Sequence, residues 1–398
     1  MSFCDEFFPF LSHRMLRKRT KDCSMLKHSP TAEISLRALA HNYRTLTRVG
    51  GVPVVPVLKA DAYGHGATAA ARLLLCLGAP QIAVACAKEA LALAPLFKNP
   101  SICNENFTYP SILVLGPVEK DALLALLPMR AVFSVHSARY AAELSHAVEA
   151  LRGKALAHNF RLPIAVKAET GMHRLGLESP TSLFRLFHQG TLYPHTLYTH
   201  FAEGGRVCGR TLAQARAFGA WRNAFRSAGY RPFTHASASS ALCRFGACGA
   251  DAVRIGLSLY GVAPRGCEIS LLPVMRFLAT VLTVKRVRRG EGVGYGSFRT
   301  EKDTRIAVLG CGYADGIPPT ASGACLSLGG FPARIVGEVC MDRTLVDIGN
   351  APLREGDTVC LFGDDKNPTA ALADAFGVSP YQLLSLRSLR TERVFVSS

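Results

Sequence analysis

A lysine at the end of an apolar segment is the residue in this sequence whose setting best suits a nucleophile. Lys59 follows Val54-Val55-Pro56-Val57-Leu58 and precedes Ala60-Asp61-Ala62-Tyr63-Gly64-His65-Gly66. An ammonium group at the end of a buried strand is partly desolvated, which lowers its pKa and favours the neutral amine. A neutral lysine amine attacks carbonyl carbons and forms Schiff bases. Considered alone, Lys59 is better explained as a side chain that extends from a strand end into solvent.

Reactive side chains also follow several later apolar segments. They lie at 167–176, 199–200, 235–239 and 254–257, and they include Lys167, Arg174, His200, Ser239 and Arg254. If the apolar segments are strands of one parallel barrel, these residues meet at its C-terminal mouth. Small residues around Ser237, Ser239 and Gly256 would leave backbone and hydroxyl donors free to bind a phosphate.

Strands and helices must position these residues. From residue 32 to about 260, the sequence alternates between apolar β-type segments and segments of helical period. We predict strands at 52–58, 82–85, 112–115, 131–135, 164–168, 197–200, 233–236 and 253–257. A leading helix should begin after Ser35 and end at Gly50-Gly51. Pro53 and Pro56 weaken the first strand assignment, because proline has no backbone N–H to donate. The pattern predicts an α/β fold with an N-terminal (β/α)₈ TIM-type barrel.

Beyond residue 265 the helical period gives way to short β segments, which predicts a second, mainly β domain. Its strands are expected at 279–287, 305–309, 334–336, 344–348, 358–362 and 394–396, with short helices at 369–376 and 380–386. The predicted organisation is a basic, disordered extension at 1–31, a barrel at 32–265 and a β domain at 266–398.

The bulk composition argues against several functional classes. The net charge is +17, but residues 1–30 carry six basic and three acidic residues, and no cluster of basic and aromatic residues follows. We therefore expect no nucleic-acid partner. The sequence contains no stretch of 18 uncharged apolar residues, so we expect no membrane span. The 13 cysteines are scattered without a CxxC pair, which favours buried reduced thiols in a cytoplasmic protein over disulfides or a metal site.

The segment 57–66 resembles the cofactor-attachment signature of the alanine racemase family, and the resemblance extends over nearly the whole chain from about Ala32. It implies that Lys59 holds pyridoxal 5′-phosphate as a Schiff base. It also assigns the phosphate to Tyr63, Ser239, Gly256, Leu257 and Tyr381. The resemblance further places Arg254 at the pyridine nitrogen, His200 against the pyridine ring, Arg174 near the substrate carboxylate and Lys167 at a position often carbamylated.

Three segments of the second domain resemble family motifs in the family's order. Gly294-Tyr295-Gly296 resembles the segment whose tyrosine reaches the partner's active site, residues 312–316 with Tyr313 resemble the entrance motif, and Cys340-Met341-Asp342 resembles the substrate-binding turn. Departures from the usual pattern are Ala238 for Asn, Glu169 for Asp, Arg343 for Gln and Pro319 for Arg. None of them removes a proposed catalytic group, so they bear on the substrate range and not on the reaction type.

The implied reaction is the interconversion of L-alanine and D-alanine, which supplies D-alanine for peptidoglycan. Racemisation needs a base on each face of Cα, so Lys59 would serve the D-alanine face and Tyr295 the L-alanine face. A tyrosine acting as a base requires nearby positive charge, for which His200 and Arg174 are candidates. A homodimer with a composite active site follows from the resemblance.

Alternatives remain within and outside this family. A serine or broad-specificity racemase of the same fold would share the barrel signature. A non-catalytic pyridoxal-phosphate-binding protein needs no second base, and a barrel-type decarboxylase would carry cysteine and aspartate segments that we do not find in the β domain.

Overall fold

The computed structural model describes residues 29–97 and 110–396, so the predicted extension lies almost wholly outside the described residues. The first strand, β1 (Thr31–Ser35), joins the β domain. The barrel strands follow as β2 (Val54–Pro56), β3 (Gln81–Val84), β4 (Ser111–Val114), β5 (Ala131–Val135), β6 (Leu162–Lys167), β7 (Leu192–Tyr198), β8 (Phe233–His235) and β9 (Val253–Ile255).

These strands form a closed parallel ring. Strands β3 to β8 pair in chain order and β2 pairs with β9. The two sheets are joined by parallel bridges from Val57 to Ala83 and from His235 to Ala252. Every predicted barrel strand is present, and the predicted fold class is confirmed. Pro56 is tolerated because it ends β2, and the next backbone donor, Val57 N–H, bonds to Ile255 at 2.8 Å.

Helices cover the outside of the ring or follow its strands. They are α1 (Leu36–Gly50), α2 (Ala67–Cys76), α3 (Ala87–Ala92), α4 (Ala94–Phe97), α5 (Lys120–Leu126), α6 (Ala138–Leu151), α7 (Thr181–His188), α8 (Gly209–Ser227) and α9 (Ser239–Phe245). The leading helix α1 has the predicted ends, because Ser35 Oγ accepts the Ala38 N–H at 3.1 Å and Gly51 adopts a left-handed conformation.

The β domain is built on one long strand, β10 (Met275–Val287), which pairs with β11 (Thr304–Leu309) and with β1. The other strands are β12 (Cys325–Leu328), β13 (Phe331–Ile335), β14 (Thr344–Asp347), β15 (Thr358–Phe362) and β16 (Glu392–Val396). Their order is β12-β13-β14-β11-β10-β1-β16, with β15 also on β10. Two helices, α10 (Thr369–Ala375) and α11 (Pro380–Ser385), lie between β15 and β16.

The residues just after the predicted boundary at 32 contribute a strand to the β domain. Strand β1 pairs with β10 and β16, so the chain contributes a strand to the β domain before it enters the barrel at Leu36. The alternation of buried Ala32 and Ile34 with less buried neighbours is only five residues long. A segment this short carries no signal for a partner strand more than 200 residues away, which is why the sequence reading assigned it to the barrel.

The cysteines also differ from the sequence-based expectation. Cys243 and Cys267 form a disulfide with a Cα–Cα distance of 6.0 Å. Of the free cysteines in the described part of the chain, Cys311 is buried, whereas Cys76 and Cys86 are exposed. The expectation of buried reduced thiols was therefore wrong for these residues, because an apolar neighbourhood in sequence does not fix which side of a helix or strand faces the core.

No helix in the described residues is long and apolar enough to cross a membrane.

Candidate active site

Lys59 begins a left-handed turn at the C-terminal mouth of the barrel. Ala60, Asp61, Ala62 and Tyr63 all have φ between 52° and 55°. Each residue with a side chain costs about 1–2 kcal/mol in this conformation, so the surroundings must hold the turn in place. The turn spans Lys59–Tyr63 and brings the lysine and the tyrosine of the predicted signature to the same part of the mouth.

Two carboxylates hold this turn. Glu89, on α3, accepts the N–H of Ala60 at 2.8 Å and that of Ala85 at 2.7 Å. Asp61 accepts the Ala67 N–H at 2.7 Å and pairs with Arg393 of β16 at 2.7 Å. The β domain therefore supports the conformation of the lysine segment directly. Glu89 carried no sequence signal, because only the fold places it next to the lysine turn.

Positive charge surrounds Lys59. The residue is accessible from the mouth, yet partial desolvation and the nearby charges of Arg174 and Arg254 lower the pKa of its amine, while Glu89 opposes them. Lys167, at the end of β6, is buried, and desolvation together with the same two arginines lowers its pKa to about 8. Both lysines are thus shifted toward the neutral amine, the form in which an amine is a base or a nucleophile.

Arg254, on β9, is the centre of a buried hydrogen-bond network. Its guanidinium donates to Nδ1 of His235 at 2.6 Å, to Nδ1 of His200 at 2.9 Å and to the carbonyl oxygen of Thr199 at 3.0 Å. It also lies 5.1 Å from the ring centroid of Tyr198. Because the guanidinium only donates, each Nδ1 must accept, and the imidazoles are held neutral. His235 stood in a predicted strand end but had been given no role.

This network corrects one expectation about His200. Burial, followed by the charges of Arg254 and Arg174, lowers the pKa of His200 to about 3. His200 is therefore uncharged at neutral pH and does not supply the positive charge that a tyrosine base would need. Of the two candidates named from the sequence, only Arg174 remains a cation.

A small cradle lies beside the lysine, between the left-handed turn and the segment that follows β9. A Cβ at position 256 would lie only 2.4 Å from Oη of Tyr63, so glycine allows the hydroxyl to sit against the backbone. Ser239 Oγ accepts the Ser258 N–H at 3.3 Å, and Ser237 Oγ is buried without a hydrogen-bond partner in the described residues. Such buried hydroxyls are expected to bind a ligand or water.

Two further residues predicted to contact a phosphate border the same cradle. Leu257 begins a short 3₁₀ turn, Leu257–Tyr260, directly after Gly256. Tyr381, on α11, has its ring centroid 6.0 Å from that of Tyr63. The cradle thus combines hydroxyl groups and backbone from both domains, the donor set that a phosphate requires. The cationic groups around Lys59 complement the same negative charge.

The β-domain residues form a second group, held together by backbone hydrogen bonds. The Tyr313 N–H donates to the Cys340 carbonyl at 3.0 Å and the Ala314 N–H donates to Met341 at 2.9 Å, while the carbonyl of Tyr295 accepts the Glu338 N–H at 3.3 Å. The side chains are solvent-accessible: Tyr295 is 68% exposed, Met341 59% and Tyr313 44%. We call Tyr295, Tyr313 and Met341 the exposed trio.

Two of the departures from the family pattern, Arg343 and Pro319, lie a few residues from the trio along the chain. Asp342 and Arg343 form an ion pair at 3.0 Å, in which each side chain remains partly exposed. Pro319 begins a short 3₁₀ turn, Pro319–Ala321. At Ala238, the helix α9 has no side-chain cap.

The single chain brings together only part of the predicted site. Lys59, Tyr63, Lys167, His200 and Arg254 meet at the barrel mouth. The described groups that shift the pKa of Lys59 all belong to the barrel, and Tyr295 is not among them. The site predicted from the sequence is therefore split between a barrel part and a β-domain part.

Family models of known proteins match both domains of the chain. The model of the alanine racemase N-terminal domain matches residues 34–264, and that of the C-terminal domain matches residues 274–395.

Individual relatives cover almost the full length. The alanine racemase of Desulfovibrio desulfuricans is 32% identical over 378 residues, which are 92% of this chain and 97% of the relative. The solved alanine racemase of Clostridium difficile 630 has a TM-score of 0.82 at 27% identity, covering 94% of this chain and 97% of the other. That of Bartonella henselae, solved with covalently bound pyridoxal phosphate, has a TM-score of 0.79 at 25% identity, covering 92% and 99%. The chain belongs to the alanine racemase family, which is pyridoxal-phosphate-dependent.

Proposed function

We propose that this protein interconverts L-alanine and D-alanine with two bases, Lys59 of one subunit and Tyr295 of the partner subunit. The observation that carries the proposal is the lysine itself: its amine has a lowered pKa and stands among cations, beside a cradle of the type a phosphate needs.

The residues at the barrel mouth fit pyridoxal 5′-phosphate. Lys59 would hold its aldehyde carbon, and Tyr63, Ser239, Gly256, Leu257 and Tyr381 would hold its phosphate. The unpartnered Ser237 hydroxyl and the close approach of the Tyr63 hydroxyl to the Gly256 backbone support that assignment. When bound, the cofactor makes the Cα–H of the amino acid acidic by delocalising the electrons left behind.

Arg254 and His200 would orient the pyridine ring. Arg254 already donates to two imidazoles and a carbonyl, and its guanidinium can donate hydrogen bonds but cannot accept one. A permanent cation at the pyridine nitrogen disfavours protonation of that nitrogen. Neutral His200 adds no further charge and presents an aromatic ring. We propose that this environment limits side reactions such as transamination.

Proton transfer would be divided between the two faces of the substrate. Neutral Lys59 takes the proton of D-alanine or returns it, and the phenol of Tyr295 does the same on the L-alanine face. Arg174 would bind the substrate carboxylate and supply positive charge near the phenol. Lys167, if carbamylated, would carry a negative charge that supports Arg174. Met341, Tyr313 and Asp342 would line the route to the site.

The split between barrel and β domain supports a homodimer with composite sites. The exposed trio has aromatic and thioether side chains open to solvent, the residue types enriched at the cores of interfaces. In a twofold dimer, each subunit would place its trio over the barrel mouth of the other. A cytoplasmic location and a role in supplying D-alanine for peptidoglycan are part of the same proposal.

A racemase of broader range is the second candidate. The Arg343–Asp342 ion pair lies at the turn proposed to contact the substrate, where it alters both charge and shape. Initial rates on alanine, serine and a larger amino acid would separate the two candidates.

The test of the function is direct. The purified protein should absorb visible light through its bound cofactor, and L-alanine should lose optical rotation in its presence. A protein that stays colourless when supplied with pyridoxal 5′-phosphate, and leaves the rotation of L-alanine unchanged, would refute the proposal.

A further inference from the structure

We infer that Glu169 is a positioning residue, whose carboxylate folds the loop 170–176 so that Arg174 is held over the barrel mouth to receive the substrate carboxylate. This inference rests on the proposed role of Arg174, and it adds a residue for which neither the sequence nor the family resemblance supplied a function.

The carboxylate of Glu169 gathers three consecutive backbone donors of the loop. Its Oε1 accepts the N–H of Gly171 at 2.5 Å and of Met172 at 2.7 Å, and its Oε2 accepts the N–H of His173 at 3.0 Å. Both oxygens are therefore used, and the last donor belongs to the residue immediately before Arg174. His173 has a φ of +57°, a conformation that the loop must hold against its intrinsic cost.

Backbone hydrogen bonds also close the base of the loop 170–176. The N–H of Glu169 donates to Leu177 and the N–H of Leu177 donates to Lys167, each at 2.8 Å. Gly176 has a φ of +143°, and a Cβ there would lie 2.8 Å from the Glu169 nitrogen. The loop is thus anchored at the end of β6, the strand that also carries Lys167.

The outer side of the loop is tied to α8. Arg210 donates to the carbonyl of Gly171 at 3.0 Å, and Gln214 donates to the hydroxyl of Thr170 at 3.3 Å. Glu169 on the inside and these two side chains on the outside leave the loop little freedom. Arg174 itself forms no ion pair with any described residue, so its guanidinium is available to an anion.

The charge states of Glu169 and its surroundings support the same placement of Arg174. Burial opposes ionisation of Glu169, but the hydrogen bonds from Gly171, His173 and Met172 outweigh it and hold its pKa below the ordinary value. The carboxylate is therefore charged at neutral pH, the form that accepts all three N–H groups. The charge of Arg174 contributes to the lowered pKa of Lys59 and of Lys167, which places it close to the reaction centre.

The experiment uses the cofactor-loaded protein and two halves of the substrate as probes. Propionate is alanine without its amino group, and ethylamine is alanine without its carboxylate. Their dissociation constants are measured by calorimetry, alongside KM and kcat for L-alanine. The variants are Glu169→Gln, Glu169→Asp and Arg174→Ala. The matched control is Asp364→Asn, which removes a carboxylate that caps the N–H groups of Lys366 and Asn367 in the β domain.

In Glu169→Gln, the amide nitrogen would face the His173 N–H and one of the three bonds is replaced by a repulsive contact. We expect propionate to bind about tenfold more weakly and KM to rise about tenfold, with kcat changed less than about threefold and ethylamine binding unchanged. Glu169→Asp should restore propionate binding to within about threefold, since it keeps the charge. Asp364→Asn should leave all four quantities at parent values.

The outcomes separate this inference from the role of Arg174. If Arg174→Ala weakens propionate binding and Glu169→Gln does not, the positioning role of Glu169 is refuted while the function of Arg174 stands. If Glu169→Gln weakens propionate and ethylamine equally, its effect is general damage and the inference is also overturned. If Arg174→Ala leaves propionate binding unchanged, the proposed carboxylate site is wrong and the inference falls with it.

Discussion

The barrel mouth and the exposed trio of the β domain differ in how completely one chain builds them. At the mouth, Arg254 is buried and satisfied by three partners, and carboxylates hold the Lys59 turn. The hydrogen bonds described for the trio are made by its backbone, and its side chains are open to solvent. Under the proposed function, this contrast means that one subunit builds the cofactor site, whereas the second base is supplied by the contact between two subunits.

The largest effect should come from the barrel part. Lys59→Ala removes both the covalent attachment and one base, so we expect loss of the visible absorbance of the bound cofactor and a fall in kcat of roughly 10³-fold or more. Absorbance spectra and polarimetry measure the two effects. Lys120→Ala, an exposed lysine of α5, is the control and should behave like the parent. A coloured, active Lys59→Ala protein would place the cofactor elsewhere.

A substitution in the β-domain part should lower the activity without weakening cofactor binding. Tyr295→Phe removes one hydroxyl from an exposed ring, so the cofactor spectrum should be unchanged while turnover slows by roughly 10²-fold or more. Tyr193→Phe, near the opposite end of the barrel, serves as the control. Parent rates on both alanine enantiomers in Tyr295→Phe would show that this phenol is not the second base.

The sequence predicted the features of these two regions that leave a local pattern, and it missed those that depend on contacts formed only by folding. Strand and helix periodicity located the barrel strands, and the Lys59 and Tyr295 segments were visible as motifs. Glu89, His235 and Asp61 act through contacts with residues brought near them only by folding. Likewise, the neutral state of His200 depends on a guanidinium 54 residues away in the chain. The membership of β1 in the β domain was hidden for the same reason.

Packing at the cradle gives a smaller, localised effect. Gly256→Ala places a methyl group against the Tyr63 hydroxyl, so we expect a loss of about 1–3 kcal/mol in the free energy of unfolding and weaker cofactor binding. Urea unfolding and spectroscopic titration with pyridoxal 5′-phosphate measure the two. The double variant Gly256→Ala, Tyr63→Phe removes the nearest atom and should recover stability. If it is no more stable than Gly256→Ala, the Tyr63 hydroxyl is not the obstacle.

The last prediction is a gain in stability, and it concerns the buried cation at the mouth. Because the pKa of Lys167 is lowered to about 8, the folded protein is penalised wherever this lysine is charged, fully below pH 8 and less as pH rises. Lys167→Met should therefore raise the free energy of unfolding at pH 7 by roughly 1–3 kcal/mol, and the gain should shrink toward pH 10.5. Urea unfolding in buffer freed of carbon dioxide tests this, with Lys120→Met as the exposed control. A gain that is independent of pH would contradict the assignment.

The most direct test of the composite site mixes two inactive subunits. In a heterodimer of Lys59→Ala and Tyr295→Phe chains, one site carries both substitutions and the other carries neither. Random assembly of co-expressed, differently tagged chains should then recover about a quarter of parent activity, and the purified heterodimer about half. If the heterodimer shows no more activity than the two variants alone, Lys59 and Tyr295 do not act together across subunits, and the account is wrong.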